Sequence, residues 1–210
     1  MMSTKHTLRT QRRSVKPMNK PLFLLVGKSG SGKTTAANKM ESMYSMSQLQ
    51  SYTTRPRRTK NEVGHTFITD AEFDCLNNIV AYTEYNGYRY CCTKDQVDAT
   101  DIYVIDIPGV ETLLDKYKTE RTIVVLYFDT TVRTRIDRMV NRGDSDAAII
   151  SRLYNDEEND WKLDLLRLVR SYRNTTGKRV KFCLIDANQD AENVMEQVKG
   201  HVGFDAKERS

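Results

Sequence analysis

The 210-residue sequence has no apolar run near the ~18 residues that a membrane-spanning helix needs. It also lacks an apolar leader stretch close to its first residue. No membrane partner is therefore expected. Cysteine is scarce. Cys75, Cys91, Cys92 and Cys183 are all there is, no two stand as Cys-x-x-Cys, and no histidine lies at metal-ligand spacing from them. That argues against a disulfide framework or a zinc site and fits a reducing, cytoplasmic setting. Acidic residues are absent from positions 1–20, which hold Lys5, Arg9, Arg12, Arg13, Lys16 and Lys20. Without those six the chain carries 27 basic against 28 acidic residues, so the net charge of +5 is a property of this tail. Nucleic acid is expected to bind at most weakly, through the tail. An Arg/Ser-rich transit segment fits the same composition.

What the sequence does contain is a set of near-continuous apolar runs of buried-strand length. Leu22 to Val26, Ile102 to Asp106, Thr122 to Asp129 and Lys181 to Asp186 are each followed by a helical pattern. Such alternation predicts an α/β fold, a parallel sheet with helices on both faces. Residues 51–97 differ. Phe67 to Thr69, Ile79 to Tyr85 and Tyr88 to Thr93 are short, aromatic and separated by turns, with Asn86-Gly87 as a hairpin signal. They predict a small antiparallel insert. The stretch from Ser145 to Tyr172 reads as helix.

The first run ends at Gly27-Lys28-Ser29-Gly30-Ser31-Gly32-Lys33-Thr34, which matches G-x-x-x-x-G-K-[ST] in full. Glycines let the backbone wrap so that successive N–H groups point at phosphate oxygens, and the following helix adds its positive end. Gly27, Ser29, Gly30, Ser31, Gly32, Lys33, Thr34 and Thr35 are therefore the expected ATP contacts. Lys33 should reach the β- and γ-phosphates, and the Thr34 hydroxyl should ligate Mg²⁺. A phosphate loop alone does not name a reaction.

Downstream residues narrow the choice. Ser51-Tyr52-Thr53-Thr54-Arg55-Pro56-Arg57-Arg58 resembles the S-x-T-T-R-x-x-R motif of guanylate kinases. Gly64-His65-Thr66-Phe67, Glu84 to Tyr90, Ile105 to Gly109, and Arg138 to Gly143 with Arg152-Leu153 are similar to later family motifs, in order, over roughly residues 22 to 188. The resemblance implies a guanylate-kinase-like nucleoside-monophosphate kinase using ATP and Mg²⁺. It implies a core at 21–50, 98–131 and 172–200, an acceptor-binding insert at 51–97 and a helical lid at 132–171, between tails at 1–20 and 201–210. It places Ser51, Arg55, Arg58, His65, Tyr90 and Asp106 at the acceptor. It places Lys33, Arg138, Arg142 and Arg152 at the transferring phosphoryl group. The chemistry agrees independently, because two polyanions must be brought together and arginine forks suit phosphate. Arg135, Arg138 and Arg142 share an arc of about 60° on one helix face; Arg133 and Arg135 are read as surface. Asp106 is read either as an acceptor-site residue or as a cap on neighbouring backbone.

The base-reading positions depart from the family. The carboxylate that grips guanine falls at Ala81, the second polar contact at Cys92, and Glu84 points to the opposite strand face. By strand parity Thr83 and Tyr85 are the expected substitutes. GMP or dGMP is the default acceptor. A kinase of a different (deoxy)nucleoside monophosphate, or a non-catalytic guanylate-kinase-like interaction module, stays open.

Overall fold

The computed structural model describes residues 20–58, 60, 62–157, 161–173 and 179–202. The tail at 1–19, the segments 158–160 and 174–178, and residues 203–210 lie outside that description. Strand β1 (Leu22–Val26) leads into helix α1 (Lys33–Tyr44). The insert follows, as β2 (Ser51–Thr53), β3 (His65–Phe67), α2 (Asp70–Asp74), β4 (Ile79–Tyr85), β5 (Tyr88–Thr93) and α3 (Lys94–Asp98). The chain returns through β6 (Ile102–Val104), α4 (Ile107–Lys116), β7 (Ile123–Asp129) and α5 (Val132–Asn141). It ends with α6 (Asp146–Glu157), α7 (Trp161–Arg173), β8 (Val180–Asp186) and α8 (Ala191–Val202).

The main sheet has the order β6-β1-β7-β8, with every pairing parallel. Its apolar strands follow from burial on both sides. Leu22, Leu24 and Val26 pack into one cluster with α4 and α7, while Phe23 and Leu25 pack into another with α1 and α8. Because successive side chains point to opposite faces, a strand covered by helices on both sides must be apolar at every position.

The second sheet, β3-β2-β5-β4, is mixed and not wholly antiparallel as the sequence suggested. Strands β4 and β5 form the expected hairpin, with Asn86 (φ 52°) and Gly87 (φ 72°) in the left-handed region that such a two-residue turn requires. Strand β3, however, runs parallel to β2. The eleven-residue connection between them is long enough to cross over and return in the same direction. Within the expected helix from Ser145 to Tyr172 the described residues from Asp146 on are helical, as α6 and α7 on either side of 158–160, which lie outside the description. Among the described residues no helix is long and apolar enough to cross a membrane.

Candidate active site

Two clefts meet at the phosphate-loop motif. The chain leaves β1 at Gly27, which has φ +154° and where a Cβ would stand 2.8 Å from the Phe128 carbonyl oxygen. Gly30 has φ +77°, and a Cβ there would lie 2.8 Å from the Arg135 carbonyl oxygen. Any larger residue would push the loop off β7 and α5. Helix α1 starts at Lys33 with no side-chain cap and no acidic residue in its first turn. Its first N–H groups are thus left for an anion.

Lys33 folds back on the loop. Its Nζ donates to the carbonyls of Gly27 (2.5 Å) and Lys28 (2.8 Å), and reaches the Ser31 hydroxyl at 3.3 Å. Burial of the ammonium lowers its pKa to about 8, a shift partly offset by the nearby Asp156 carboxylate.

The first cleft, of about 490 Å³, is walled by Gly30, Ser31, Gly32, Lys33, Thr34, Thr35, Arg138, Arg142 and the apolar Val194 and Met195 of α8. Arg138 donates to the Ser31 carbonyl at 3.3 Å and to the Gln189 carbonyl at 2.8 Å. Arg142 caps the end of α5 beside Gly143 (φ +85°) and pairs with Asp144. Arg152 pairs with the same Asp144 at 2.6 Å and borders neither cleft. The Thr34 hydroxyl has no hydrogen-bond partner among the described residues.

The second cleft, of about 320 Å³, is lined by Gly27, Ser29, Lys33, Ser51, Arg58, His65, Tyr90 and Asp106. Lys33 is thus common to both. Arg55 is not on the cleft wall. It is 7% exposed, reaches the Tyr90 hydroxyl at 3.2 Å, and forks onto Glu62 at 2.8 and 3.2 Å. The Arg58 backbone N–H also donates to Glu62, at 2.6 Å, leaving the Arg58 guanidinium facing the cleft. His65 Nδ1 lies 2.9 Å from the Ser51 hydroxyl. Burial, reinforced by the Arg55 charge, lowers His65 to about 4, so at neutral pH it brings no positive charge. Asp106 caps α4 by accepting from the Gly109 N–H at 2.9 Å, and burial raises its pKa. It also borders the second cleft.

Two expectations fail here. Arg135, read as surface, is 1% exposed and pairs with Asp156 of α6. Its place beside Arg138 and Arg142 on one helix face was legible, but its buried partner lies 21 residues away. Ala81 is 1% exposed and pairs with Cys92 across the hairpin, and both belong to the apolar core and not to the cleft wall. The wall is formed instead by Thr83, Glu84 and Tyr85, with Trp161 and Asp164 added from α7. Parity identified Thr83 and Tyr85; no sequence signal pointed to α7. Placing a glutamate at position 81 should therefore bury an unpaired carboxyl. Ala81→Glu is expected to lower stability by about 2–5 kcal/mol, read as a lower denaturant midpoint, with no gain in guanine preference.

No family model matches the sequence, and no curated protein matches it. Among solved structures the chain is similar to a guanylate kinase from Anaplasma phagocytophilum, at 17% identity with a TM-score of 0.53. The match covers 89% of this chain and 86% of that one. At that identity the likeness is one of fold: the chain has a guanylate-kinase-like α/β architecture.

Proposed function

We propose that the protein transfers the γ-phosphoryl group of ATP to a nucleoside monophosphate, giving ADP and the diphosphate, with GMP or dGMP the default acceptor. The observation that carries this reading is the meeting of two clefts at Lys33, one on the phosphate loop and one edged by Arg58, Tyr90 and His65. ATP fits the first. Its phosphates lie against the loop N–H groups, and Val194 and Met195 offer the base an apolar wall. The acceptor phosphate fits the second. Arg58 and Lys33 there supply the cations that two approaching polyanions demand. Catalysis is by position and charge, and the acceptor phosphate, already anionic, needs no general base.

Magnesium is expected to arrive with ATP. No cluster of three or more His, Cys, Asp or Glu side chains that could hold a metal ion occurs among the described residues. A free Thr34 hydroxyl at the loop fits an ion whose other ligands are phosphate and water. When bound, the ion neutralises charge on the β- and γ-phosphates. The test is a coupled ADP-release assay across all ribo- and deoxynucleoside monophosphates. Stimulation by one or a few of them supports the reading, and none above the rate with ATP alone contradicts it.

Two further expectations follow from the groups in the clefts. Only the charged form of Lys33 attracts phosphate. Its pKa of about 8 makes kcat/KM for ATP fall as pH rises through that value, toward about tenfold per pH unit. A profile flat from pH 7 to 9.5 contradicts this. Among the described residues Trp161 Nε1 is buried with no hydrogen-bond partner, and Trp161 belongs to the second cleft. A carbonyl on the acceptor base would satisfy it. Trp161→Phe keeps a ring and removes the N–H, so it should raise KM for the preferred acceptor by about tenfold, in keeping with ~1–3 kcal/mol for an unmet donor. Poorer acceptors should change little, and an equal effect on all of them would rule out base reading.

A further inference from the structure

The phosphate loop is held by a buried ion pair at the edge of the second cleft. Asp156, 2% exposed on the last turn of α6, accepts from the Ser29 N–H at 2.9 Å and from the Arg135 guanidinium. Arg135, on α5, donates through Nε to the Ser29 carbonyl at 2.7 Å. The two backbone polar groups of Ser29 are thus held by one charge-neutral pair contributed by two different helices. Just beyond, the Arg135 backbone presses on Gly30, and Arg138 takes the Ser31 carbonyl. The carbonyls of two alternate loop residues, Ser29 and Ser31, are thus both held by arginines of α5.

We propose that Asp156 and Arg135 are positioning residues for the donor phosphates: they fix the Ser29 peptide and so set how well the loop is preorganised for ATP. The inference rests on the donor-site reading given above. Neither side chain need touch nucleotide. Arg135 is sealed from solvent, and Asp156, although it borders the second cleft, is 2% exposed and a carboxylate that would repel phosphate were it not paired. The pair also ties α6 to the loop at its C-terminal end, so a closing motion of this region has to pivot about Asp156 or break a buried ion pair.

Both bonds to Asp156 converge on a single oxygen, Oδ2. An asparagine with its amide oxygen in that place keeps both, and an alanine keeps neither. The experiment uses the full chain and two readouts. Hydrogen exchange of the Ser29 amide needs no ligand. It should quicken at least about tenfold in Asp156→Ala and stay within about threefold of wild type in Asp156→Asn. ATP dissociation constants, by calorimetry without acceptor, should rise about tenfold or more in Asp156→Ala and in Arg135→Met, and little in Asp156→Asn. Because the pair acts as a unit, the double variant Asp156→Ala/Arg135→Met should bind ATP no worse than the weaker single variant.

Unchanged exchange in Asp156→Ala overturns the latch. Faster exchange with unaltered ATP affinity overturns its role in donor binding, as does a double variant whose losses simply add. Wild-type protein that binds no ATP overturns the donor-site reading and this role together. ATP binding without turnover overturns only the proposed reaction. If Arg135→Met fails to fold, the contrast between Asp156→Ala and Asp156→Asn still decides the matter.

Discussion

Lys33→Ala is expected to lower the rate of phosphoryl transfer by on the order of 10²–10³-fold or more, while the protein stays folded. The loss is large because Lys33 is, among the described residues, the cation that borders both clefts, at the point where donor and acceptor phosphates would meet. The fold survives for a local reason. Among the described residues the ammonium bonds only to the loop itself, through the Gly27 and Lys28 carbonyls and the Ser31 hydroxyl. Burial already disfavours its charge, as its lowered pKa records. Removing it relieves that penalty while freeing two carbonyls beside an open cleft, so the melting temperature should shift by no more than a few degrees. Turnover retained near the wild-type level in a folded mutant would remove the loop from the chemistry.

Arg58→Ala is expected to raise KM for the acceptor and lower kcat with little change in ATP binding. A charged contact desolvated on closure is worth on the order of 2–5 kcal/mol. That corresponds to a loss in kcat/KM of about 30-fold to a few thousandfold. Arg58 is the cleaner target of the two arginines. Its guanidinium faces the second cleft, whereas Arg55 is locked in a fork with Glu62 and contacts Tyr90. Arg55→Ala should weaken the acceptor too, but it also strands the largely buried Glu62 carboxylate, so part of its effect is on stability. Melting curves and acceptor titrations on both variants separate these contributions. Normal acceptor kinetics in Arg58→Ala would take that residue out of the clamp.

How much of this was legible beforehand depends on the range over which each feature is fixed. The loop from Gly27 to Thr34 is contiguous, and its chemistry is local, so strand, turn and helix could all be read from one segment. The main sheet was legible because helices on both faces force its strands to be apolar throughout. Strand β3 was legible only in part: a short strand was expected at Phe67 to Thr69, whereas it spans His65–Phe67, because three residues carry no periodicity to fix their bounds, and its parallel pairing depends on β2. Arg135 misled for a different reason. An arginine on a helix with exposed neighbours reads as surface, and only Asp156, on another helix, makes its burial tolerable. At Ala81, strand parity gave the face but not what lay against it. That face is covered by the apolar core at 81 and opens on the cleft only at Thr83 and Tyr85. The part of the second cleft's wall that lies on α7, with Trp161 and Asp164, arises from tertiary packing alone.

The most direct test of the central claim, that donor and acceptor phosphates meet at Lys33, follows the phosphoryl group itself. ATP labelled at its γ-phosphate is incubated with the protein, magnesium and a mixture of nucleoside monophosphates, and the products are separated. The account predicts label in the β-position of a nucleoside diphosphate, abolished in Lys33→Ala. Label that remains in ATP, or appears only as inorganic phosphate, would contradict it.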